Sequence, residues 1–368
     1  MKTLILSNIT EDYSKVSYLN TIRPKVLNVR RQFYDYAANM KSELGNSVIY
    51  HFNERLKRAG DTLMLGEYAP FILGDLFSIS ETGISKISFP WLILYEYCLL
   101  LDDLMDKERE NWQLEMLSSQ VLLDKAYKEY FVDANDRYNI HNYFERYRNE
   151  SIEGIVSELN WSKNNKIENI DAAIIIQGRK AALVKFCVAS MINVEHNRNI
   201  TKEEEKILDN ICAAIQLLDD LTDISEDHTE CRINIMLSTI YKWIENKYPY
   251  YNKTNINYDQ LIAGLIISQS MNTTLEISAN QLRSVKILEK RFRDNDGSIE
   301  YFMQLAENCL QKSKQVDNIL KEESKNILLY EKYLFQKECN DLNEESNVKE
   351  NVKNLFRDIL ACTPKTSN

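Results

Sequence analysis

The sequence predicts an all-α protein, and three observations carry that expectation. Glycine numbers 9 and proline 5 in 368 residues, too few breakers for a turn-rich β protein. Apolar residues recur at helical spacing along most of the chain, and no segment alternates over the length of a strand. Hydrophobic residues make up 44% of the chain, enough for a sizeable core, and no low-complexity linker or fixed-period repeat divides it. Residues 1–362 are therefore expected to form a single helical domain, with 363–368 a disordered tail.

Taken in order, residues 20–58 read as one or two amphipathic helices, and Thr62–Ile79 as another, mostly apolar. Ser80–Ser88 reads as a connector punctuated by Gly83, with Pro90 in the first turn of the next helix, Trp91–Asp106. Helical patterns return at 113–132, 137–159, 168–193, 201–226, 232–248, 257–294, 298–335 and 345–361. The stretches 160–167 and 249–256 read as loops. The expected total is ten or more helices and no strand.

A formal net charge of −10 argues against a nucleic-acid partner, whose phosphates need a basic surface. It leaves open a phosphate ligand held through divalent cations. Seven scattered cysteines without a CxxC pair fit reduced thiols in a cytoplasmic protein. The N-terminal apolar run meets Glu11 and Asp12 too early for a secretory segment. The longest apolar stretch, Phe89–Leu101, contains Glu96 and is too short to span a membrane.

Two carboxylate clusters carry the chemistry. In FPWLILYEYCLLLDDLMD, Asp102 and Asp106 lie one turn apart on one helix face, with Asp103 beside them. In QLLDDLTDISED, Asp219, Asp223 and Asp227 form a stripe at i, i+4 and i+8, flanked by Asp220. Each DDxxD follows an apolar, core-type run. Like charges at that spacing repel, and a hard divalent cation with oxygen ligands offsets the repulsion. A lone DDxxD is more often a solvated acidic face; two copies after apolar runs favour a metal site.

Between the clusters lies IIIQGRKAALVKF, in which Arg179, Lys180 and Lys185 interrupt a core-like run. A buried cation needs an anionic partner. That partner is either one of the chain's own carboxylates or a bound diphosphate facing Arg179 or Lys180. Arg232 and Asn234, after the second cluster, are further candidate diphosphate contacts, with pairing of Arg232 to Glu230 as the plainer reading.

Together these features resemble the trans-isoprenyl diphosphate synthase and class I terpene synthase superfamily. The resemblance rests on DDLMD (Asp102–Asp106), QLLDDLTD (Gln216–Asp223) and QGRKAALVKF, and it spans roughly residues 60–240. The continuation SEDHTECRINI is similar to the squalene and phytoene synthase branch. The resemblance implies an isoprenoid-synthase-type helical bundle around a central apolar cavity. Its mouth would bind three Mg2+ ions, with Mn2+ able to substitute, and the diphosphate of a prenyl substrate. On that pattern Asp102, Asp106, Asp219, Asp223 and Asp227 would hold metal. Asp102, Asp103, Asp106 and Arg179 would act in catalysis, and Arg179, Lys180, Arg232 and Asn234 would meet the diphosphate. Phe71, Tyr95, Tyr97, Cys98, Phe186 and Gln216 would line the cavity, where aromatic faces can steady a carbocation. At helical spacing such aromatics are more often plain core. A homodimer is compatible with the resemblance.

Departures from the pattern shape the expected reaction. Where chain-elongating members carry cations for a second diphosphate, this chain has Glu67 and Tyr68 upstream of the first motif and Arg109 alone downstream. Arg55, Lys57 or Arg58 could reach in from a neighbouring helix. A C-terminal Arg–Tyr pair, common in cyclases, has only weak counterparts in Arg291 and Arg293 or in Lys332 with Tyr333. The reading is a terpene synthase that ionises a single linear prenyl diphosphate and releases pyrophosphate with a hydrocarbon or alcohol. The alternatives are a prenyl diphosphate synthase, a squalene or phytoene synthase-like enzyme, and a non-enzymatic helical scaffold with acidic partner-binding faces.

Overall fold

The structure, a computed structural model, describes residues 17–40, 43–58, 65–106, 112–132, 137–164, 166–167, 169–251, 256–290, 296–336 and 342–361. The expected tail, 363–368, lies outside the described residues, as do Arg109, Arg291 and Arg293. Among the described residues there are fifteen α-helices and no strand. They run α1 Ser17–Asn39, α2 Glu43–Arg58, α3 Leu65–Leu76, α4 Glu81–Asp106, α5 Trp112–Tyr130, α6 Arg137–Asn164, α7 Ile170–Lys180 and α8 Ala182–His196. There follow α9 Lys202–Thr229, α10 Ile235–Lys247, α11 Tyr258–Ile267, α12 Ser270–Leu282, a 3-10 stretch at Arg283–Lys290, α13 Asp296–Glu322, α14 Ser324–Gln336 and α15 Leu342–Ala361.

Two helices organise the rest. α4 packs on α1, α3, α5 and α8, and α9 packs on α7, α8, α10 and α12. α8 lies against both, and its run Phe186–Ile192 is entirely buried. That run has no polar side chain but Ser190, which donates to the Phe186 carbonyl at 2.8 Å, so it serves as a shared apolar wall. α4 and α9 contribute Leu92, Ile93 and Leu94, and Ala214, Leu217, Leu218 and Leu221, to the core. Burial of such side chains is worth about 1.5–3 kcal/mol each and outweighs modest intrinsic propensities.

Several expected boundaries move. The connector Ser80–Ser88 is instead the opening of α4, which begins at Glu81 and carries Pro90 well inside. Gly83 does not break it, because its backbone packs against Glu195 of α8. Residues 160–164 complete α6 instead of forming a loop. The helix expected over 168–193 divides at Ala181 (φ −91°, ψ 17°), a break that no glycine or proline announces. The helix expected over 257–294 divides at Ser268–Gln269, where Gln269 takes φ 60°. The pattern at 298–335 divides at Glu323. By length and composition Glu81–Met105 of α4 could cross a membrane, longer than the apolar stretch alone indicates; 61% of that window is buried in the protein.

Two glycines permit close helix contacts near the site. At Gly66 a Cβ would run into the Tyr95 ring, and the Gly66 carbonyl accepts from Trp91 Nε1 at 2.7 Å, so α3 lies tight on α4. At Gly154 a Cβ would stand 2.7 Å from the Lys180 backbone nitrogen. There α6 and α7 touch backbone to backbone, clasped by the Ser151 hydroxyl donating to the Lys180 carbonyl at 2.7 Å.

Candidate functional site

The two aspartate motifs close their helices: Asp102–Asp106 form the end of α4, and Asp219, Asp223 and Asp227 occupy the last three turns of α9. The fold brings them together. The Asp102 carboxylate is among the charges that act on Asp219, and Asp219 in turn acts on Tyr95 of α4. Water reaches Asp219, yet enough protein surrounds it that lost hydration is the largest influence on its carboxyl. With repulsion from Asp223, Asp102 and Asp227, opposed by Lys180, this pushes Asp219 up to about 7. Burial likewise pushes Asp227 up to about 6, against the pull of Asn234 and Arg232. Asp220 is buried and lies well above the ordinary carboxylate range, through burial first, and it accepts from Gln177 Nε2 at 3.0 Å. Asp102 is exposed, and Asp103 lines a small recess with Arg55, Glu96 and His51. The Asp106 side chain lies outside the described residues.

Of the two candidate cations, Lys180 is the one that the fold carries to the aspartates. Its Nζ donates to Glu158 at 2.6 Å. Burial opposes its charge, but Glu158, Asp220 and Asp219 outweigh that and hold it protonated. Gly154 places α7 against α6, and Glu158 stands one turn further along α6. The Arg179 side chain is 45% exposed, with Glu153 3.8 Å away. Lys185 is committed to the core, between Glu150 at 2.5 Å and Asp209 at 2.6 Å, under the Tyr147 ring. Arg232 pairs with Glu230, and its Nε lies 3.6 Å from Asp227. Asn234 is buried, donates to Asp227 and caps α10.

The candidate lining residues separate into two groups. Tyr95 stacks on Trp91 at 6.0 Å beside the Arg55 guanidinium, and Cys98, one turn before Asp102, is pushed up to about 12 by burial and then by Asp102. Tyr97 is 8% exposed. Gln216 lies half-buried one turn before Asp220. Phe71 is buried in α3, and Phe186 is wedged between Tyr130 and Phe144 at 4.4 and 5.3 Å. Lys332 and Tyr333 stand exposed on α14.

Sequence reasoning missed a cluster behind the first motif. Arg30 grips Glu67 through two donors at 2.8 and 2.6 Å, Arg55 pairs with Glu96, and His51 lies 2.9 Å from Glu115, all buried. Burial, with Glu67 adding to it, pushes Glu96 up to about 8 despite the Arg55 pairing. The signal for Glu96 was legible, a carboxylate inside an apolar run that must find a cation; nothing in the sequence singles out Arg30 as its neighbour's partner.

The donors of the two motifs are carboxylate oxygens, the chemistry that Mg2+ and Mn2+ take. Among the described residues no three His, Cys, Asp or Glu side chains are gathered into a ready metal-binding group. Mutual repulsion at Asp219 is the imbalance that a divalent cation would relieve, so the residues fit such ions in type and charge.

Comparison with known proteins agrees with this fold. A polyprenyl synthase from Caulobacter crescentus CB15, solved with calcium and isoprenyl diphosphate, is similar at a TM-score of 0.59 and 15% identity, over 80% of this chain and 96% of that one. A Corynebacterium glutamicum protein assigned as a geranylgeranyl pyrophosphate synthase is similar at a TM-score of 0.60 and 13% identity, over 79% and 97%. No family model and no curated protein matches the chain. The likeness at this identity is one of fold: the chain shares the overall helical fold of these two solved structures.

Proposed function

We propose that the chain is a divalent-cation-dependent enzyme acting on a linear prenyl diphosphate. The observation that supports it is the meeting of two aspartate faces, from α4 and α9, with Lys180 beside the second. Bound cations would supply Lewis-acid pull on the departing diphosphate. Asp102, Asp219, Asp223 and Asp227, with Asp106 by its place in the motif, would hold the ions. Lys180 would present its ammonium to the diphosphate, balanced at rest by Glu158. Tyr95 would offer an aromatic face beside the motif. The reading carries with it a cytoplasmic enzyme, and the same fold leaves room for a homodimer.

Two finer readings divide at the second substrate. The two similar structures described above are named as a polyprenyl synthase and a geranylgeranyl pyrophosphate synthase, which favours chain elongation over the cyclase expected from sequence. The buried Arg30–Glu67 and Arg55–Glu96 pairs favour a one-substrate reaction, because they neutralise the two arginines that stand behind the first motif. A second diphosphate would have to displace those glutamates at a cost of several kcal/mol. Incubation of the full chain with C10 to C25 prenyl diphosphates and Mg2+, with and without isopentenyl diphosphate, followed by mass spectrometry, separates them. A longer diphosphate made only with isopentenyl diphosphate establishes elongation. A hydrocarbon or alcohol with pyrophosphate, made without it, establishes the lyase. No substrate consumed in any mixture would defeat the enzyme reading.

A further inference from the structure

The turn after the second aspartate stripe does more than end a helix. α9 closes in a Schellman arrangement: Cys231 takes φ 57°, and the Arg232 N–H donates to the Asp227 carbonyl at 2.7 Å. The closure folds residues 232–234 back onto the last turn of α9. Asn234, 1% exposed, then uses its whole amide. Its Oδ1 accepts from the Leu237 N–H at 2.9 Å and caps α10. Its Nδ2 donates to Asp227 Oδ2 at 2.7 Å and to the Asp220 carbonyl at 3.2 Å.

We propose that Asn234 is a positioning residue, which fixes the rotamer of Asp227 so that this carboxylate is preset for a cation. The proposal rests on the reading of Asp227 as a cation ligand. The residue type fits the task. A lysine at the same place would add a second cation to the Arg232 guanidinium, whose Nε already lies 3.6 Å from Asp227 Oδ1; an amide donor orients the carboxylate and adds no charge against the ion. The amide also holds the α9 backbone at Asp220, so the donor cannot drift away from the stripe it serves. Donors behind metal ligands in general change affinity by about 10–100-fold when removed.

The test titrates the full chain with Mn2+ in the presence of inorganic diphosphate and follows free Mn2+ by electron paramagnetic resonance. The proteins are the parent, Asp227→Asn, Asn234→Ser, Asn234→Thr and the double variant Asp227→Asn/Asn234→Ser. Ser and Thr keep a capping oxygen for α10 and are too short to reach Asp227. The expected result is Mn2+ affinity about tenfold or more weaker in Asn234→Ser and Asn234→Thr. Metal-free melting should stay within about 3 °C of the parent, and the double variant should be no weaker than Asp227→Asn alone. Parent-like affinity in the Asn234 variants, with loss in Asp227→Asn, overturns the positioning role and leaves the metal site standing. Losses that add in the double variant overturn it too, as does collapse of the metal-free fold in both Asn234 variants, which would make the role structural. Unchanged affinity in Asp227→Asn defeats the metal-site reading itself, and the inference falls with it.

Discussion

Asp219 is the residue on which the site turns. It is repelled by Asp102 from the facing helix and by Asp223 and Asp227 from its own, and Lys180 alone among its named influences opposes them. Asp219→Asn removes that repulsion, so the metal-free protein should melt higher while turnover falls by about 100-fold or more, measured by calorimetry and by pyrophosphate release. Lys180→Ala should likewise lower turnover by about 30–1,000-fold, whereas Arg179→Ala, at a side chain that is 45% exposed, should leave kcat/KM within about twofold. Equal losses in the two would show that the exposed arginine swings in. The choice between these neighbours was not legible in the sequence. Adjacent helical residues point about 100° apart, and which of the two faces the aspartates depends on Gly154 and Ser151 of another helix. The motifs themselves were legible, because i, i+4 and i+8 spacing fixes a common face without any tertiary knowledge.

At the scale of elements, the apolar period located most helices, and their ends were less legible. The breaks at Ala181 and at Ser268–Gln269 lack glycine and proline, and Gly83 sits inside a helix because a neighbour accepts its bare backbone. Packing, not local chemistry, decides such positions. The α6–α7 contact is the one on which Lys180 depends, and Gly154→Ala would thrust a methyl into the Lys180 backbone. It should destabilise the protein by about 1–3 kcal/mol in a denaturant titration and weaken diphosphate binding together with it. Elsewhere local chemistry is sufficient. Thr201 and Glu204 form a reciprocal cap at the start of α9, and Thr201→Ala should cost about 1 kcal/mol by the same measurement, with no effect on turnover.

The whole molecule should respond to pH in a direction that its raised carboxyls dictate. Asp227, Asp219 and Glu96 are pushed up to about 6, 7 and 8, against about 4 in an unfolded chain. Between those limits the folded state holds more protons than the unfolded one, so the stability these groups contribute is full near pH 4 and is lost as pH rises to 8. Cations bind the deprotonated forms, and the gain in melting temperature on adding Mn2+ with inorganic diphosphate should therefore be larger at pH 8 than at pH 5.5. An equal gain at both would show that the site carboxyls are already ionised at the lower pH.

Both motifs share a placement whose consequence reaches beyond ligand geometry: each sits where its helix ends, α4 at Asp106 and α9 at Thr229. The aligned peptide dipoles leave the C-terminal end of a helix with a partial negative charge of roughly half an electron. Carboxylates in the last turn of each helix add to that pole, and Asp102 of α4 also acts on Asp219, further back along α9. The result is a trough of negative potential that concentrates cations before any inner-sphere contact is made. Capture then begins as an ion atmosphere and ends as coordination, so a finished cage need not exist beforehand. Such capture is screened by salt, and Mn2+ association followed by stopped flow should slow steeply between about 10 mM and 200 mM ionic strength, as the screening length shrinks from about 30 Å to under 10 Å.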